Sequence, residues 1–213
     1  AGRRFVSEMG VSTVGGCCGT TPEHIAALVK ELDGHPAPKR PARSDWAGTV
    51  TSLYGPVTLQ QTPPPLIVGE RTNANGSKKF RELLLAEDWD AMVEMAKDQA
   101  HEGAHVLDVC TAYVGRDEAR DMREVLRRFA TQAAIPIMVD TTQLDVLEQS
   151  LELLGGRALI NSINLEDGEG KADRICELAR MHGAALVALT IDEDGMAKTA
   201  ERKLAVARRI HDI

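Results

Sequence analysis

The sequence has few aromatic residues, few cysteines and no excess of positive charge, and each shortage excludes a class of protein. Aromatic residues make up only 3% of the 213 residues, so the core must consist mainly of Leu, Val, Ile, Ala and Met. Four cysteines, two of them adjacent, do not suggest a disulfide framework, and we expect a reduced, cytoplasmic setting. The formal charge of -7 argues against binding to nucleic acid.

Long apolar segments are also absent from the sequence. No apolar run approaches the roughly 20 residues of a membrane-spanning helix, and no signal-peptide pattern opens the chain. We therefore expect no membrane partner. The length is sufficient for one or two domains with a substantial core.

The sequence does contain a repeated alternation of short apolar runs and helical segments. The runs predict strands at 66–70, 105–110, 137–140, 158–161 and 185–190. The segments predict a short helix from near Ser77 and longer helices at 88–102, 117–132, 143–154, 171–182 and 199–212. Such crossovers predict an α/β fold with a parallel sheet, either doubly wound or a (β/α)8 TIM-type barrel. A polar residue closes almost every run, which favours the barrel. A complete barrel needs about 250 residues, so we expect only its first five βα units.

A different pattern precedes these units. Val11–Cys18 is predicted to be a strand that runs into a glycine-rich turn. A helix follows, with a capping box from Thr20 to Glu23 at its start and Gly34 as its C-terminal cap. We interpret residues 1–33 as the last βα unit of another domain.

Proline is concentrated between these two regions. Seven of the nine prolines lie in residues 34–65, and this density favours an extended linker. Within it, residues 49–61 alternate enough to form a short strand or hairpin. The predicted organisation is therefore a domain end (1–33), a linker (34–65) and a barrel (66–213).

Polar side chains at the strand ends are the strongest candidates for a functional site. Asp140 and Asn161 end two successive runs, and the C-terminal strand ends of a barrel face its active site. A carboxylate and an amide at one pocket mouth can recognise a ring with alternating donors and acceptors. Polar caps on the strand ends are the structural alternative. Asp108 either contacts a ligand or fixes the loop that follows it.

Two glycine-containing segments carry weaker signals. After the first strand, Gly76 and Ser77 open a helix whose backbone N–H groups would suit an anionic or carbonyl-bearing ligand, although an ordinary capped loop has the same pattern. Cys17 and Cys18, flanked by glycines, are either two thiolate ligands of zinc or two small buried residues. Cys110 is interpreted as a packing residue, because no histidine is evidently placed to activate it.

Several motifs of this sequence, taken in the order in which they occur, resemble those of the cobalamin-dependent methionine synthases. Gly-Gly-Cys-Cys-Gly-Thr-Thr-Pro-Glu-His-Ile at 15–25 is similar to the end of their homocysteine-binding barrel. Four further motifs resemble their methyltetrahydrofolate-binding, or pterin-binding, barrel: Val-Gly-Glu-Arg-Thr-Asn at 68–73, Gly-Ser-Lys-Lys-Phe at 76–80, Val-Asp-Thr-Thr at 139–142 and Ile-Asn-Ser-Ile at 160–163. The resemblance covers nearly the whole chain.

The resemblance implies a methyltransferase that moves a methyl group from 5-methyltetrahydrofolate to cob(I)alamin and then to homocysteine, giving methionine. It implies that this chain mainly binds the folate and that another module binds cobalamin. The implied folate contacts are Gly76, Ser77, Lys78, Asp140 and Asn161, with Asp140 and Asn161 catalytic and with Glu70, Asn73 and Asp108 as further candidates.

For the other half of the reaction, the resemblance implies that Cys17 and Cys18 are two of three zinc thiolates that bind the homocysteine sulfur, with the third ligand outside this chain. One departure from the pattern is Cys110, which stands where many relatives have Asn. A polar contact in the folate pocket is therefore expected to be lost or replaced.

Three other functions compete with this interpretation. A stand-alone methyltetrahydrofolate:corrinoid-protein methyltransferase shares the second region but lacks Gly-Gly-Cys-Cys and the proline-rich linker. Dihydropteroate synthase recognises a pterin with the same kind of pocket, but the Gly-Glu-Arg-Thr-Asn motif and the preceding domain end disfavour it. A non-catalytic folate-binding or scaffold fragment is the rival from another class.

Overall fold

The computed structural model describes residues 2–36 and 48–213, which belong to two units that divide between Trp46 and Ala47. Part of the predicted linker, residues 37–47, lies outside the described residues. The remainder of that linker, from Gly48 onward, belongs to the second unit. Within the described ranges, no helix has both the length and the apolar character needed to cross a membrane.

The first unit contains helices α1 (Gly2–Ser7) and α2 (Pro22–Leu32). The prediction of a strand at Val11–Cys18 is wrong, because residues 2–36 supply no neighbouring strand to complete its hydrogen bonds. The predicted capping position is also one residue early. Since Pro22 occupies the first helical position, Thr21 is the N-cap, and its N–H donates to Nδ1 of His24 at 3.1 Å. Gly34 follows the helix with a φ of +72°, as expected of a C-terminal glycine.

The second unit opens with a hairpin of β1 (Thr49–Thr51) and β2 (Pro56–Thr58), which confirms the hairpin expected at 49–61. Five parallel strands then follow: β3 (Val68–Gly69), β4 (Val106–Val109), β5 (Ile137–Asp140), β6 (Leu159–Ile163) and β7 (Ala185–Ala188). They are joined by α3 (Lys78–Ala86), α4 (Trp89–His101), α5 (Glu118–Gln132), α6 (Leu144–Leu153) and α7 (Glu169–His182). The strands lie in the order in which they occur in the sequence. A doubly wound sheet would reverse its direction at a switch point, so the order confirms the barrel-type arrangement.

Alternate residues of the strands face two different apolar layers. One set, which includes Leu107, Val139 and Ile160, packs with the buried residues of the helices, among them the fully buried Phe80 and Phe129. The other set begins with a layer of Val106, Met138 and Leu159. Because strand side chains alternate between faces, the residues two positions further on lie on the same face as this layer. Those residues are Asp108, Asp140 and Asn161.

The β1–β2 hairpin closes the apolar layer from below. Val50 of β1 is fully buried and packs in one cluster with the layer formed by Val106, Met138 and Leu159. The N–H of Thr51 donates to the carbonyl of Arg157 at 3.0 Å, which fixes the hairpin beside the start of β6. The hairpin therefore covers the apolar layer at the N-terminal ends of the strands, and the polar residues lie toward the C-terminal ends.

A second hairpin was not predicted. It consists of β8 (Ile191–Asp192) and β9 (Gly195–Met196) and precedes the last helix, α8 (Ala200–Asp212). Each strand has only two residues, too few for a visible alternation of apolar and polar side chains. The guanidinium of Arg202 on α8 donates to both carboxylate oxygens of Asp192, at 2.7 and 3.0 Å, and so ties this hairpin to the helix.

An ion-pair network fixes the loop between β4 and α5. Arg116, in that loop, donates from Nε and Nη2 to the two carboxylate oxygens of Asp121, both at 2.7 Å. The side chain of Asp121 is fully buried and that of Arg116 is 16% exposed. Arg116 also donates to Glu87, which receives two further hydrogen bonds of 2.8 Å from Arg120. A buried, bidentate pair of this kind is costly to break, since one charge is then left without its partner.

We predict that Asp121→Asn destabilises the protein strongly, by about 3 kcal/mol, because it removes the bidentate partner of the Arg116 guanidinium and leaves it only the longer contact of 3.3 Å to Glu87. Glu124→Gln is the matched control on the same helix: Glu124 pairs with Arg128 at 2.8 Å, but both side chains are 32% exposed. That change should have little effect. Urea unfolding measures the free energy of unfolding of both variants. Equal values would show that the buried pair contributes no more to stability than the exposed pair.

Candidate functional site

The site is organised by the side-chain amide of Asn73, in the loop after β3. Its Nδ2 donates to Oδ2 of Asp108 and to Oδ2 of Asp140, both at 2.8 Å. Its Oδ1 accepts from the N–H groups of Asn75 and Gly76, at 2.9 and 3.2 Å. All four hydrogen-bonding positions of this amide are therefore used within the protein. Asn73, one of the predicted folate contacts, holds two carboxylates together across neighbouring strands.

Asn161 completes the group at the strand ends. Asp140 and Asn161 are direct partners in the register of β5 and β6, so the two residues predicted to meet at the pocket mouth do lie side by side. Nδ2 of Asn161 donates to Oδ1 of Asp108 at 3.3 Å. Asp108 is 3% exposed, and its carboxylate thus accepts one amide hydrogen bond on each oxygen.

The electrostatic environment makes Asp140 unusual. Partial burial is the main cause that raises the pKa of its carboxyl group to about 6, and the charges of Asp108, Glu118 and Glu70 act in the same direction. The hydrogen bond from Asn73 opposes them. An ordinary aspartate has a pKa of about 3.9. A carboxyl group tuned in this way can exchange a proton near neutral pH.

A cavity opens beside these residues, between the ends of β5 and β6. Its polar lining offers both donors and acceptors: Asp140, Thr141, Thr142, Asn161, Ser162, Asn164 and Lys171. The ammonium group of Lys171 is held by Asp167 at 2.7 Å. The cavity can therefore take a ligand with mixed hydrogen-bonding edges through neutral amides, hydroxyls and one carboxyl group.

The loop before α3 differs from the prediction of free backbone donors. The N–H groups of Asn75, Gly76 and Ser77 all donate to Asn73, to its side chain or to its carbonyl oxygen. The hydroxyl of Ser77 caps α3 by accepting from the N–H of Phe80 at 3.2 Å. These groups build a capped loop that presents Asn73, and contact of Gly76 and Ser77 with folate stays a prediction.

The remaining predicted folate contacts lie on the outside of this loop. Lys78 is exposed, and its ammonium group is 3.7 Å from Glu82. Glu70 is exposed and lies against Gly76, where a Cβ atom would come within 3.0 Å of its Oε1. A side chain at position 76 would therefore displace the exposed carboxylate of Glu70 by a small amount.

Three supporting residues were not found from the sequence. Gln99 of α4 donates to the hydroxyl of Thr72 at 3.3 Å, and that hydroxyl donates to the carbonyl of Asp108 at 2.7 Å. Glu118, the first residue of α5, accepts from the side chains of Thr141 and Gln143, each at 2.5 Å. In the sequence, Glu118 has only the pattern of an acidic residue in a first helical turn, and Gln99 that of a polar helix position.

Cys110 fits the interpretation as a packing residue. It is 3% exposed, and burial is the main cause that raises the pKa of its thiol to about 12. The thiol therefore stays protonated and is a poor nucleophile. Nδ2 of Asn75 lies 3.6 Å from its sulfur, within hydrogen-bonding distance for a weak acceptor.

Cys17 and Cys18 are exposed rather than buried, with their Sγ atoms 3.7 Å apart. The backbone N–H of Cys18, followed by its side chain, lowers the pKa of the Cys17 thiol. Two thiolates of a tetrahedral zinc site, with Zn–S bonds of about 2.3 Å, lie about 3.8 Å apart. In the part of the chain that the structure describes, no three ligand-type side chains come together. The pair thus has the spacing for one zinc ion but forms only part of a ligand set.

Comparison with known proteins identifies relatives of both units. Residues 69–212 match the profile described as "Pterin binding enzyme", and residues 2–32 match "Homocysteine S-methyltransferase". Methionine synthases from Mycobacterium leprae and Mycobacterium tuberculosis are each 50% identical to this chain over 98% of its length. The chain spans only 18% of the length of each of these proteins.

A solved structure supports the fold. Dihydropteroate synthase from Thermus thermophilus superposes with a TM-score of 0.51 and 23% identity, covering 78% of this chain and 60% of that one. At this identity the likeness is one of fold alone, and it agrees with the barrel-type order of the strands. Because the family profile covers most of the chain, including every strand that carries a residue of the site, the chain belongs to the family of pterin-binding enzymes.

Proposed function

We propose that this chain is the folate-binding part of a cytoplasmic methionine synthase and binds 5-methyltetrahydrofolate at the strand ends of its barrel. The observation that carries the proposal is the joined group of Asn73, Asp108, Asp140 and Asn161. The relatives at 50% identity support the larger assignment, in which the whole protein transfers the methyl group to cobalamin and on to homocysteine. In that assignment, residues 1–33 end the homocysteine-binding domain, 34–65 connect the domains, and 66–213 belong to the pterin-binding barrel.

The chemistry of the pterin explains why carboxylates and amides are needed together. The ring has N–H donors along one edge and carbonyl and nitrogen acceptors along others, so carboxylates can accept from it while an amide both donates and accepts. Asp108 and Asp140 supply the acceptors, and Asn161 supplies the adaptable amide. Because Asn73 fixes both carboxylates before a ligand arrives, little ordering is needed on binding.

Asp140 has the properties required of a general acid during methyl transfer. The methyl group leaves a neutral tertiary amine poorly, whereas protonation of the pterin nitrogen makes it a much better leaving group. With a pKa of about 6, Asp140 is protonated in roughly one molecule in ten at pH 7 and can share a proton with the pterin, directly or through water. Asn161 orients the ring and stabilises its protonated form. General acid assistance of this kind is typically worth about 10²–10⁴ in rate.

Two groups outside this barrel complete the proposed reaction. Cobalamin would be held by another module of the protein and, as cob(I)alamin, would supply the nucleophile for the methyl group. Cys17 and Cys18 would provide two zinc thiolates toward homocysteine, which is supported by their sulfur spacing and by the lowered pKa of Cys17. The third zinc ligand would come from outside this chain.

The first prediction from the proposed function concerns folate binding. We expect one-to-one binding of methyltetrahydrofolate in a calorimetric titration, and at least tenfold weaker binding by Asp140→Ala, which removes an acceptor and leaves Asn73 with an unpaired donor. Asp145→Asn is the matched control, because it removes an exposed carboxylate in the first turn of α6. No binding by a chain that unfolds cooperatively would contradict the proposed site.

The second prediction separates transfer from binding. Asp140→Asn keeps an acceptor oxygen but removes the titratable proton, so it should slow methyl transfer to added cob(I)alamin by about 10²-fold or more while changing folate affinity much less. The absorbance change of the corrinoid measures the transfer rate. If the variant retained both the wild-type affinity and the wild-type rate, Asp140 would have no role in proton transfer.

The third prediction tests the raised pKa of Asp140 without any ligand. A carboxyl group whose folded pKa exceeds its unfolded value binds more protons in the folded state. It therefore stabilises the fold at low pH, and this contribution is lost as the pH rises through about 6. The stability of the wild type relative to Asp140→Asn should thus fall by about 1–2 kcal/mol between pH 4.5 and 7.5, allowing for partial exposure. Urea unfolding at the two pH values measures it, and a constant difference would exclude the raised pKa.

A further inference from the structure

One buried carboxylate beside the site has no role in the proposed methyl transfer. Glu118 is the first residue of α5 and is 9% exposed. A helix N-terminus stabilises a negative charge at this position. Both of its oxygens are nevertheless used outside its own helix, where a simple helix-stabilising residue would leave them to solvent.

The two hydrogen bonds of Glu118 converge on the segment that follows Asp140. Oε1 accepts from the hydroxyl of Thr141 and Oε2 from the side-chain amide of Gln143, each at 2.5 Å. The same hydroxyl accepts from the N–H of Gln143 at 3.2 Å. Thr141 is 8% exposed, and Glu118 is the acceptor of its hydroxyl in the structure. The carboxylate therefore sets the path of the chain immediately after the proposed proton-transfer residue.

Two further hydrogen bonds hold the start of α5 in place. The hydroxyl of Thr111 donates to the carbonyl of Glu118 at 3.4 Å, which ties α5 to the end of β4. The side-chain amide of Gln149, on α6, donates to the carbonyl of Ala119 at 2.8 Å. The start of α5 is thus connected to the end of β4, the strand beside β5, and to α6, the helix that follows Asp140. A shift of Glu118 would be transmitted to the segment that it holds.

We propose that Glu118 is a positioning residue of the folate site: its carboxylate clamps Thr141 and Gln143 and thereby holds the Asp140 carboxyl group in its orientation toward Asn73 and the cavity. This proposal rests on the proposed function only for its consequence in folate binding. The clamp itself is a property of the protein without ligand.

The charge of Glu118 gives the clamp a second effect that can be measured. Four charged groups surround Asp140: Asp108 from β4, Glu118 from α5, Glu70 from the loop after β3 and Lys171 from α7. Lys171 pairs with Asp167. Asp108, Glu118 and Glu70 all favour the protonated form of Asp140. Removal of the Glu118 charge should therefore make Asp140 a stronger acid. Because looser packing would admit water and lower the pKa of Asp140 in the same direction, the titration of Thr141→Val, which breaks the clamp but keeps the Glu118 charge, shows how much of the change comes from packing.

The experiment uses two pairs of variants, each checked first for cooperative unfolding. Glu118→Gln removes the charge and one acceptor, and Asp117→Asn is its control, since Asp117 is the adjacent N-cap of α5 and asparagine also caps helices. Thr141→Val removes the hydroxyl donor but keeps the charge and the side-chain shape. Thr141→Ser restores the donor and serves as the rescue. The two pairs test the charge and the hydrogen bond separately, so a poorly folded Glu118 variant does not decide the result.

The first measurement is the titration of Asp140 in the ligand-free protein, followed by the carbon chemical shift of its carboxyl group. We expect Glu118→Gln to lower the midpoint by on the order of 0.5–1 unit, and Asp117→Asn to change it much less. The second is calorimetric binding of methyltetrahydrofolate, for which we expect Thr141→Val to bind about 5- to 10-fold more weakly and Thr141→Ser to recover most of the loss.

The outcomes distinguish this proposal from the proposed function. An unchanged Asp140 midpoint in a folded Glu118→Gln protein, together with equal binding by the two Thr141 variants, would overturn the positioning role. Absence of folate binding by the wild type would instead overturn the proposed function. In that case the ligand-free titration still decides whether Glu118 acts on Asp140.

Discussion

The side-chain amide of Asn73 is the interaction on which the site depends. Two carboxylates near the C-terminal ends of neighbouring strands repel each other, and burial makes their negative charges still less favourable. One amide nitrogen bridges them at 2.8 Å each, and the amide oxygen is fixed by two backbone N–H groups of its own loop. The loop after β3 is therefore built to present a single amide. Thr72 and Gln99 hold that loop against β4 and α4.

The apolar layer beneath the site has an equally direct part in its chemistry. Val106, Met138 and Leu159 lie on the same face as the polar residues two positions further along, and Val50 of the hairpin closes this layer from below. Water is thereby excluded from one side of the carboxylates, which is the physical reason that burial dominates the raised pKa of Asp140. The apolar layer and the raised pKa of Asp140 thus both depend on the same alternation of residues along the strands.

Most of the second unit could be predicted from the sequence, because its signals are local. Each of the five predicted strands and each of the predicted helices exists, within a few residues of the expected bounds, since apolar runs and helical periodicity are written into short segments. The strand expected at Val11–Cys18 is wrong, because a strand also needs a neighbour that a local pattern cannot supply. The β8–β9 hairpin could not be predicted, because strands of two residues are too short to show an alternation of apolar and polar side chains.

For the site, the sequence by itself determined the residue types and their places at the strand ends: Asp108, Asp140 and Asn161 could be identified because each interrupts or ends an apolar run. Only the tertiary structure decided how they are joined. The bridge through Asn73, 67 residues from Asp140, and the clamp from Glu118, 23 residues from Thr141, are contacts between loops and helices that share no local pattern. Hydrogen bonds between side chains depend on distances of a few tenths of an ångström, and packing of the whole barrel sets those distances.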